Sequence, residues 1–268
     1  MKNILAILFV VIALSSCSTY QETLKSDDIG AKYALADSLY DVGKYKKSLK
    51  LWEQIVPVYR GRPQAERVMF KYSDTYYQLG DFYLAGYNFE RFVKSYPKSA
   101  KREDAAFKSA QSYYNLSPRY NLDQGDTRKA MEKLQEFINS YPESVQVAVA
   151  NDMVKELRTK IEKKEFEVAR MYNKIAVSQF TYPAAIKSMD NFLSDFPGSE
   201  FKEDALFYRL DSAYKFAVGS VRGLVQERLE VAKEYHTTLV KYYPNGKYNE
   251  EATEMITDIN ERLNEAIN

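Results

Sequence analysis

The chain of 268 residues holds one cysteine, one histidine and one tryptophan. A lone cysteine forbids an internal disulfide and any multi-thiolate metal site, and a lone histidine leaves no His pair for zinc. An excess of either charge is missing as well, since 38 Lys+Arg face 37 Asp+Glu. That balance argues against a nucleic-acid binder, which carries a basic surplus to meet phosphate. Glycine and proline number 10 and 8, too few to punctuate an all-β chain, so helices are the expected element. What the chain has instead is 45% hydrophobic and 14% aromatic residues, with 23 Tyr and 14 Phe. That is enough to build a sizeable core and speaks against disorder.

Long apolar runs are limited to one, Ile4 to Leu14, which follows the positive Lys2. Eleven residues cannot cross a bilayer core that needs about 20 helical residues, so residues 1–16 are expected to be a cleaved signal. Leu14-Ser15-Ser16-Cys17 resembles a bacterial lipobox, which would make Cys17 a lipidated first residue of the mature chain. The alternative is an ordinary signal peptide followed by a chance cysteine. Acyl chains on Cys17 would give the multiple anchors that stable membrane attachment needs. Ser18 rather than Asp follows Cys17, and no acidic cluster lies in Ser18 to Leu24, which by lipoprotein sorting rules favours an outer-membrane anchor facing the periplasm. Loss of Lys2 leaves 37 charges of each sign, so long-range steering is not the expected mode of recognition.

From Ile29 onward one pattern returns. Phe92-Val93-Lys94-Ser95-Tyr96-Pro97-Lys98-Ser99 is matched by Phe137 to Ser144 and by Phe192 to Ser199, with Leu239 to Gly246 a weaker copy and Tyr59 closing a copy that lacks the proline. The turns Leu39 to Gly43, Tyr76 to Gly80 and Tyr113 to Ser117 follow one another at 37-residue intervals. A unit of about 34 residues with small residues such as Ala36, Ser73 and Ala85 for close approach, and Trp52, Phe89 and Phe137 as filler, resembles the tetratricopeptide repeat. The expected fold is all-α, a right-handed tetratricopeptide solenoid of about five helix pairs. The units fall at about 29–62, 66–99, 103–144, 166–199 and 204–246, and a helix near Asn249 to Ala266 caps the end. Pro118 to Asp126 and Gly219 to Arg228 read as insertions between helices, and Val147 to Lys164 as a helix running into unit four. The expected organisation is a tether over 17–28, units one to three over 29–146, and the joining helix with units four and five over 147–268, as two sub-blocks with a stiff joint.

A search for chemistry returns little. No nucleophile elbow, Walker loop, dinucleotide turn or His-Glu-x-x-His pair occurs. His236 falls where a repeat packs a bulky side chain, with no nucleophile placed beside it, and reads as core rather than general base. Asn121 to Asp126 has a faint calcium-loop look but lacks the closing bidentate Glu. The reading is therefore a non-enzymatic chain with no cofactor and no metal. The inward face of each first helix should line a groove, which places Tyr33, Asp37 and Tyr40 there, then Phe70, Asp74 and Tyr77, then Phe107, Gln111 and Tyr114. Rings with a hydroxyl at the rim, separated by polar side chains, suit an extended peptide bearing aromatic residues. A register shift of one would instead make these rings core filler. Units four and five break the ladder, with Arg170, Lys174 and Val177 and then Tyr208, Ser212 and Lys215, which points to a different partner.

A lipobox followed by about five repeats with Tyr-Pro-x-Ser closings resembles the BamD family, lipoproteins of the β-barrel assembly machinery. Ser117 to Gln124 is similar to that family's insertion in its third repeat, and Leu157 to Tyr172 to its linker into the fourth. The resemblance implies an outer-membrane scaffold whose C-terminal half docks the periplasmic domains of the barrel protein BamA, here through Arg170, Lys174, Lys187, Ser188 and Tyr208. It implies that the N-terminal half recognises C-terminal segments of unfolded outer-membrane proteins, which end in an aromatic. The gap inside unit five, the tail after Tyr243, and Ser188 in place of a basic residue depart from the better-known form. The competing reading is a repeat lipoprotein that regulates peptidoglycan synthesis or serves an envelope transport complex.

Overall fold

A computed structural model of the chain describes residues 19–179 and 181–267. The fold is all-α, a series of tetratricopeptide-like helix pairs. Cys17 and the expected signal segment lie outside the described residues. Helix α1 covers 19–25, followed by α2 (Ile29–Asp41), α3 (Tyr45–Tyr59), α4 (Ala65–Gln78), α5 (Phe82–Ser95), α6 (Arg102–Leu116), α7 (Gly125–Ser140), α8 (Val147–Gln179), α9 (Tyr182–Asp195), α10 (Lys202–Val218), α11 (Arg222–Tyr242) and α12 (Asn249–Ile267). No helix among the described residues is long and apolar enough to cross a membrane.

Local chemistry sets the helix ends. After α2 and α4 the chain needs a left-handed residue, and Gly43 (φ 73°) and Gly80 (φ 78°) supply it. The Lys44 and Asp81 amides then donate back to the Leu39 and Tyr76 carbonyls at 2.8 and 3.0 Å, closing the Schellman pattern and starting the next helix at once. Ser117 takes the equivalent place after α6, leaves in an extended conformation, and leads into Pro118 and the loop before α7. The aromatic-proline closings terminate α5, α7, α9 and α11. Tyr96, Tyr141, Phe196 and Tyr243 make the last helical bond, 2.8–2.9 Å to the residue four back, and the following proline prevents continuation. In the first three closings the serine turns the chain: its amide donates to the aromatic's carbonyl, and its Oγ accepts the amide two residues on.

The chain divides into two compact units. The first runs to Pro118 and takes up Gln124–Leu157. In it successive helices pack in sequence order from α2 to α7. Ala36, Ser73 and Ala85 are fully buried, as are Trp52 and Phe89, so small residues let helices approach while rings fill the remaining space. Residues 17–28 were expected to be a tether, but 19–25 is helical and Tyr20 is buried in the first core, donating its hydroxyl to the Lys47 carbonyl at 3.3 Å. An aromatic at 20 and a Leu at 24 sit one turn apart, and both pack on the α2–α3 pair.

The second unit comprises Arg119–Asp123 and Arg158–Asn268. Phe166 stacks on Phe201 at 5.3 Å, Phe207 on Tyr248 at 3.9 Å, and Ala252, Ile259 and Leu263 bury the apolar face of α12 on α10 and α11. The insertion expected over Gly219 to Arg228 is smaller than it looked. Only Gly219–Val221 leaves the helices, and α11 begins at Arg222. The segment can extend α11 because Arg228 folds back, placing its guanidinium 3.7 Å from the Phe216 ring centre and donating to Ser220 Oγ at 2.5 Å.

Candidate functional site

The first helices of the first unit, α2, α4 and α6, carry the aromatic and polar residues expected to line a groove. The first ring of each set packs onto its own partner helix. Tyr33 lies against Trp52 and Tyr59, Phe70 edge-on to Phe89 and Phe92, and Phe107 against Phe137. Tyr33 and Phe70 are half-buried and Phe107 is buried, so these three rings work chiefly as packing within helix pairs. The later tyrosines contact the start of the second helix, Tyr40 on Tyr45 and Tyr77 on Phe82, each edge-on at about 5.5 Å between ring centres. Tyr114 is half-buried and donates to Glu156 at 2.5 Å, and burial with that bond pushes its hydroxyl pKa up to about 12. Gln111 is half-buried between Phe107 and Tyr114 in sequence.

The polar residues of the ladder form a relay that steps from helix to helix. Asp37 pairs with Lys71 at 2.5 Å and with Arg67 at 2.9 Å. Tyr40 donates to Asp74 Oδ2 at 2.5 Å, and Lys108 pairs with Asp74 Oδ1. Gln78 also donates to Asp74, at 3.3 Å. Asp74 is only 1% exposed, so it serves the joint between three helices and not an incoming peptide. Burial raises the Tyr40 hydroxyl pKa, and the Asp74 carboxylate raises it further. Burial raises the Asp37 carboxyl, but the bonds from Lys71 and Arg67 outweigh it and hold the group below its ordinary value.

A signal for this relay was present in the sequence. Asp37 to Lys71, Tyr40 to Asp74 and Asp74 to Lys108 are each one 34-residue repeat apart. Reading each rung separately hides a bond that joins neighbouring rungs.

Open space does exist on this face. A cavity of about 510 Å³ is lined by Tyr40, Pro63, Glu66, Arg67, Phe70, Lys71 and Lys101. Three cations and one carboxylate surround two aromatic rings. Lys71 lies over the Tyr40 ring at 4.6 Å and Lys101 over Phe70 at 5.5 Å. Arg67 and Lys101 keep more than half of their side chains exposed, so they can meet a ligand without disturbing the core. The ladder pointed to the two rings; Pro63, Arg67, Lys71 and Lys101 were not singled out from the sequence, because they enter from the loop before α4, its outer side and the start of α6.

In the second unit the guanidinium of Arg170 lies 5.8 Å from the Tyr208 ring centre and donates to Glu167 at 2.9 Å, while its buried Nε has no partner. Lys174 is exposed one turn further along α8. Lys187 is exposed and Ser188 half-buried on α9. Ser212 is fully buried and accepts from Asn173 at 2.8 Å, and Lys215 pairs with Asp211 at 2.8 Å. His236 is half-buried on α11, and desolvation lowers its pKa. No group of three or more His, Cys, Asp or Glu arranged for a metal occurs among the described residues.

A family model described as YfiO, outer membrane lipoprotein, matches residues 27–220 and again 176–266. No curated protein matches the chain. Among solved structures it is similar to the TPR2AB domain of yeast Sti1 in its pHSP90 complex, at 12% identity and TM-score 0.39, covering 87% of this chain and 98% of that one. It is also similar to a putative kinesin light chain of Podosopora anserina with nearly identical TPR-like repeats, at 16% identity and TM-score 0.33, covering 78% and 95%. A third is a computationally designed self-assembling cyclic homooligomer, at 15% identity and TM-score 0.21, covering 100% and 97%.

Proposed function

The chain belongs to the YfiO family of outer membrane lipoproteins, and from that premise we propose that it is a non-enzymatic component of the β-barrel assembly machinery. In this reading acyl chains on Cys17 hold it at the outer membrane, facing the periplasm. The second unit docks the periplasmic domains of a BamA-like barrel protein through Arg170, Lys174, Lys187, Ser188 and Tyr208. The first unit receives C-terminal segments of unfolded outer-membrane proteins.

The observation that carries the substrate part is the cavity beside Tyr40 and Phe70. A C-terminal aromatic residue brings a ring and a free carboxylate. Two rings and the cations Arg67, Lys71 and Lys101 complement both. Tyr77 lies further along α4, and Gln111 and Tyr114 on α6, where an extended peptide would continue.

The test is binding of a peptide ending in Phe, with either a free or an amidated C-terminus, to wild-type protein and to the double variant Arg67→Gln with Lys101→Gln. Both replaced side chains are largely exposed, so the fold should persist, with the loss confined chiefly to the Arg67–Asp37 pair. The free acid should bind wild type about ten-fold more tightly than the amide, and the double variant should lose that preference. Equal affinity of acid and amide for wild type would remove the carboxylate role.

A further inference from the structure

Helix α3 begins in an unusual way. Lys44 stands at its N-cap without a side-chain bond to the helix, no acidic residue occupies the first turn, and Lys46, Lys47 and Lys50 follow. Cations at this end oppose the helix dipole, whereas α6, α10 and α12 each place two carboxylates in their first turns. All four lysines are exposed, and none makes an ion pair among the described residues. The neighbouring carboxylates Asp41 and Glu53 are engaged by Lys71 and Tyr76. Lys46 and Lys50 are one turn apart, on the side of α3 away from the buried Leu51, Trp52 and Ile55. Beside them, at the tip of the turn, Val42 is 63% exposed.

Helix α1 brings a second observation to the same place. Tyr20 is buried, bonds the Lys47 carbonyl, and has the Lys47 ammonium 5.0 Å from its ring centre. Helix α1 therefore begins beside Lys47, in the first turn of α3. Tyr20 lies three positions after Cys17, a span of at most about 11 Å in any conformation.

We infer that the basic turn Val42–Lys50 is a membrane-contact surface that binds the headgroups of anionic phospholipids, with Val42 entering the interface. This rests on the acylation of Cys17, which would bring the bilayer to within reach of these lysines. Four exposed ammonium groups without a carboxylate partner, one of them over the Tyr20 ring, beside an exposed apolar tip complement a negatively charged lipid surface. The contact would fix how the first helix pair meets the membrane, where acyl chains alone would leave it free to rotate.

The test uses the mature acylated protein carrying Val42→Cys, the one thiol left free when Cys17 is acylated, labelled with an environment-sensitive fluorophore. It is added to vesicles of phosphatidylcholine alone or mixed with phosphatidylglycerol. The label should shift to an apolar environment only with phosphatidylglycerol, and added salt should reverse the shift. Replacing the four lysines by Gln should abolish it, while replacement by Arg should preserve it. Each lysine lost is expected to weaken the lipid contact about five-fold. An equal signal on both vesicle types, or a Gln variant that still responds, overturns the proposal. So would capture of an acidic protein by the lysines without any vesicle response. Failure to enter phosphatidylcholine vesicles, with no acyl mass on the mature chain, refutes the anchor instead. The basic turn is then decided by whether phosphatidylglycerol vesicles still bind the chain in a lysine-dependent way.

Discussion

Replacing Asp74 by Ala should loosen three helices at once, although the position reads as a ligand-facing residue in the repeat pattern. Asp74 is 1% exposed and accepts from Tyr40, Gln78 and Lys108, which belong to α2, α4 and α6. Loss of a charge-assisted bond from a hydroxyl costs about 1.5–3 kcal/mol. Stranding the partner of a fully buried ion pair costs about 3–5 kcal/mol, but the Lys108 side chain is 24% exposed and can turn to water, so its share is much smaller. The expected total is about 3 kcal/mol. Hydrogen exchange in urea, read separately on α2, α4 and α6, is the suitable assay, because a repeat array does not unfold as one two-state body. In a Tyr40→Phe background the same replacement should cost about 1.5–3 kcal/mol less, since the bond from the hydroxyl is already absent. Asp74→Asn, which keeps an acceptor for Tyr40 but no charge for Lys108, should fall between. A cost under about 0.5 kcal/mol, or strict additivity with Tyr40→Phe, would refute the relay.

The Asp37 carboxyl is held below its ordinary value in the fold, so its contribution is complete above the unfolded value of about 3.9 and is lost as pH falls through the depressed folded value. Exchange protection of α2 should therefore drop in that acid window, and Asp37→Asn should lower protection at neutral pH while shrinking the acid-induced drop; an unchanged acid profile would contradict this. Gly80→Ala places a Cβ at φ 78° and should cost about 1 kcal/mol in hydrogen exchange of α4 and α5 in urea, through strain alone, because nothing lies within 4 Å of the added atom. Phe89→Ala, at a fully buried ring between helices, should cost about 3–5 kcal/mol, and a loss under 1 kcal/mol would mean the core is not packed as described.

Most of the helical architecture was legible because its punctuation is chemical. Tyr-Pro-x-Ser ends a helix and turns the chain for reasons that each residue carries locally, and Gly43 and Gly80 announce left-handed caps. The weaker signals failed where a distant contact decides. Arg222 to Arg228 is helical because Arg228 reaches Phe216 and Ser220, and 19–25 is helical against the α2–α3 pair, with nothing in either segment's own pattern demanding it. At the candidate site, side-chain identity located the face but not the allegiance of each group. Tyr33, Phe70 and Phe107 turn to their own partner helices, and Asp74 is consumed by Tyr40 and Lys108. Arg67 and Lys101, which line the open cavity, have no aromatic rhythm to mark them.

The most direct test of the proposed role is co-purification of the acylated chain from detergent-solubilised membranes, with mass identification of what accompanies it. A large barrel protein bearing periplasmic domains should be recovered from wild type, and its yield should fall when Arg170 and Lys174 on α8 are replaced together by Glu. Recovery of cell-wall enzymes alone, with no barrel protein, would contradict the assignment to outer-membrane assembly.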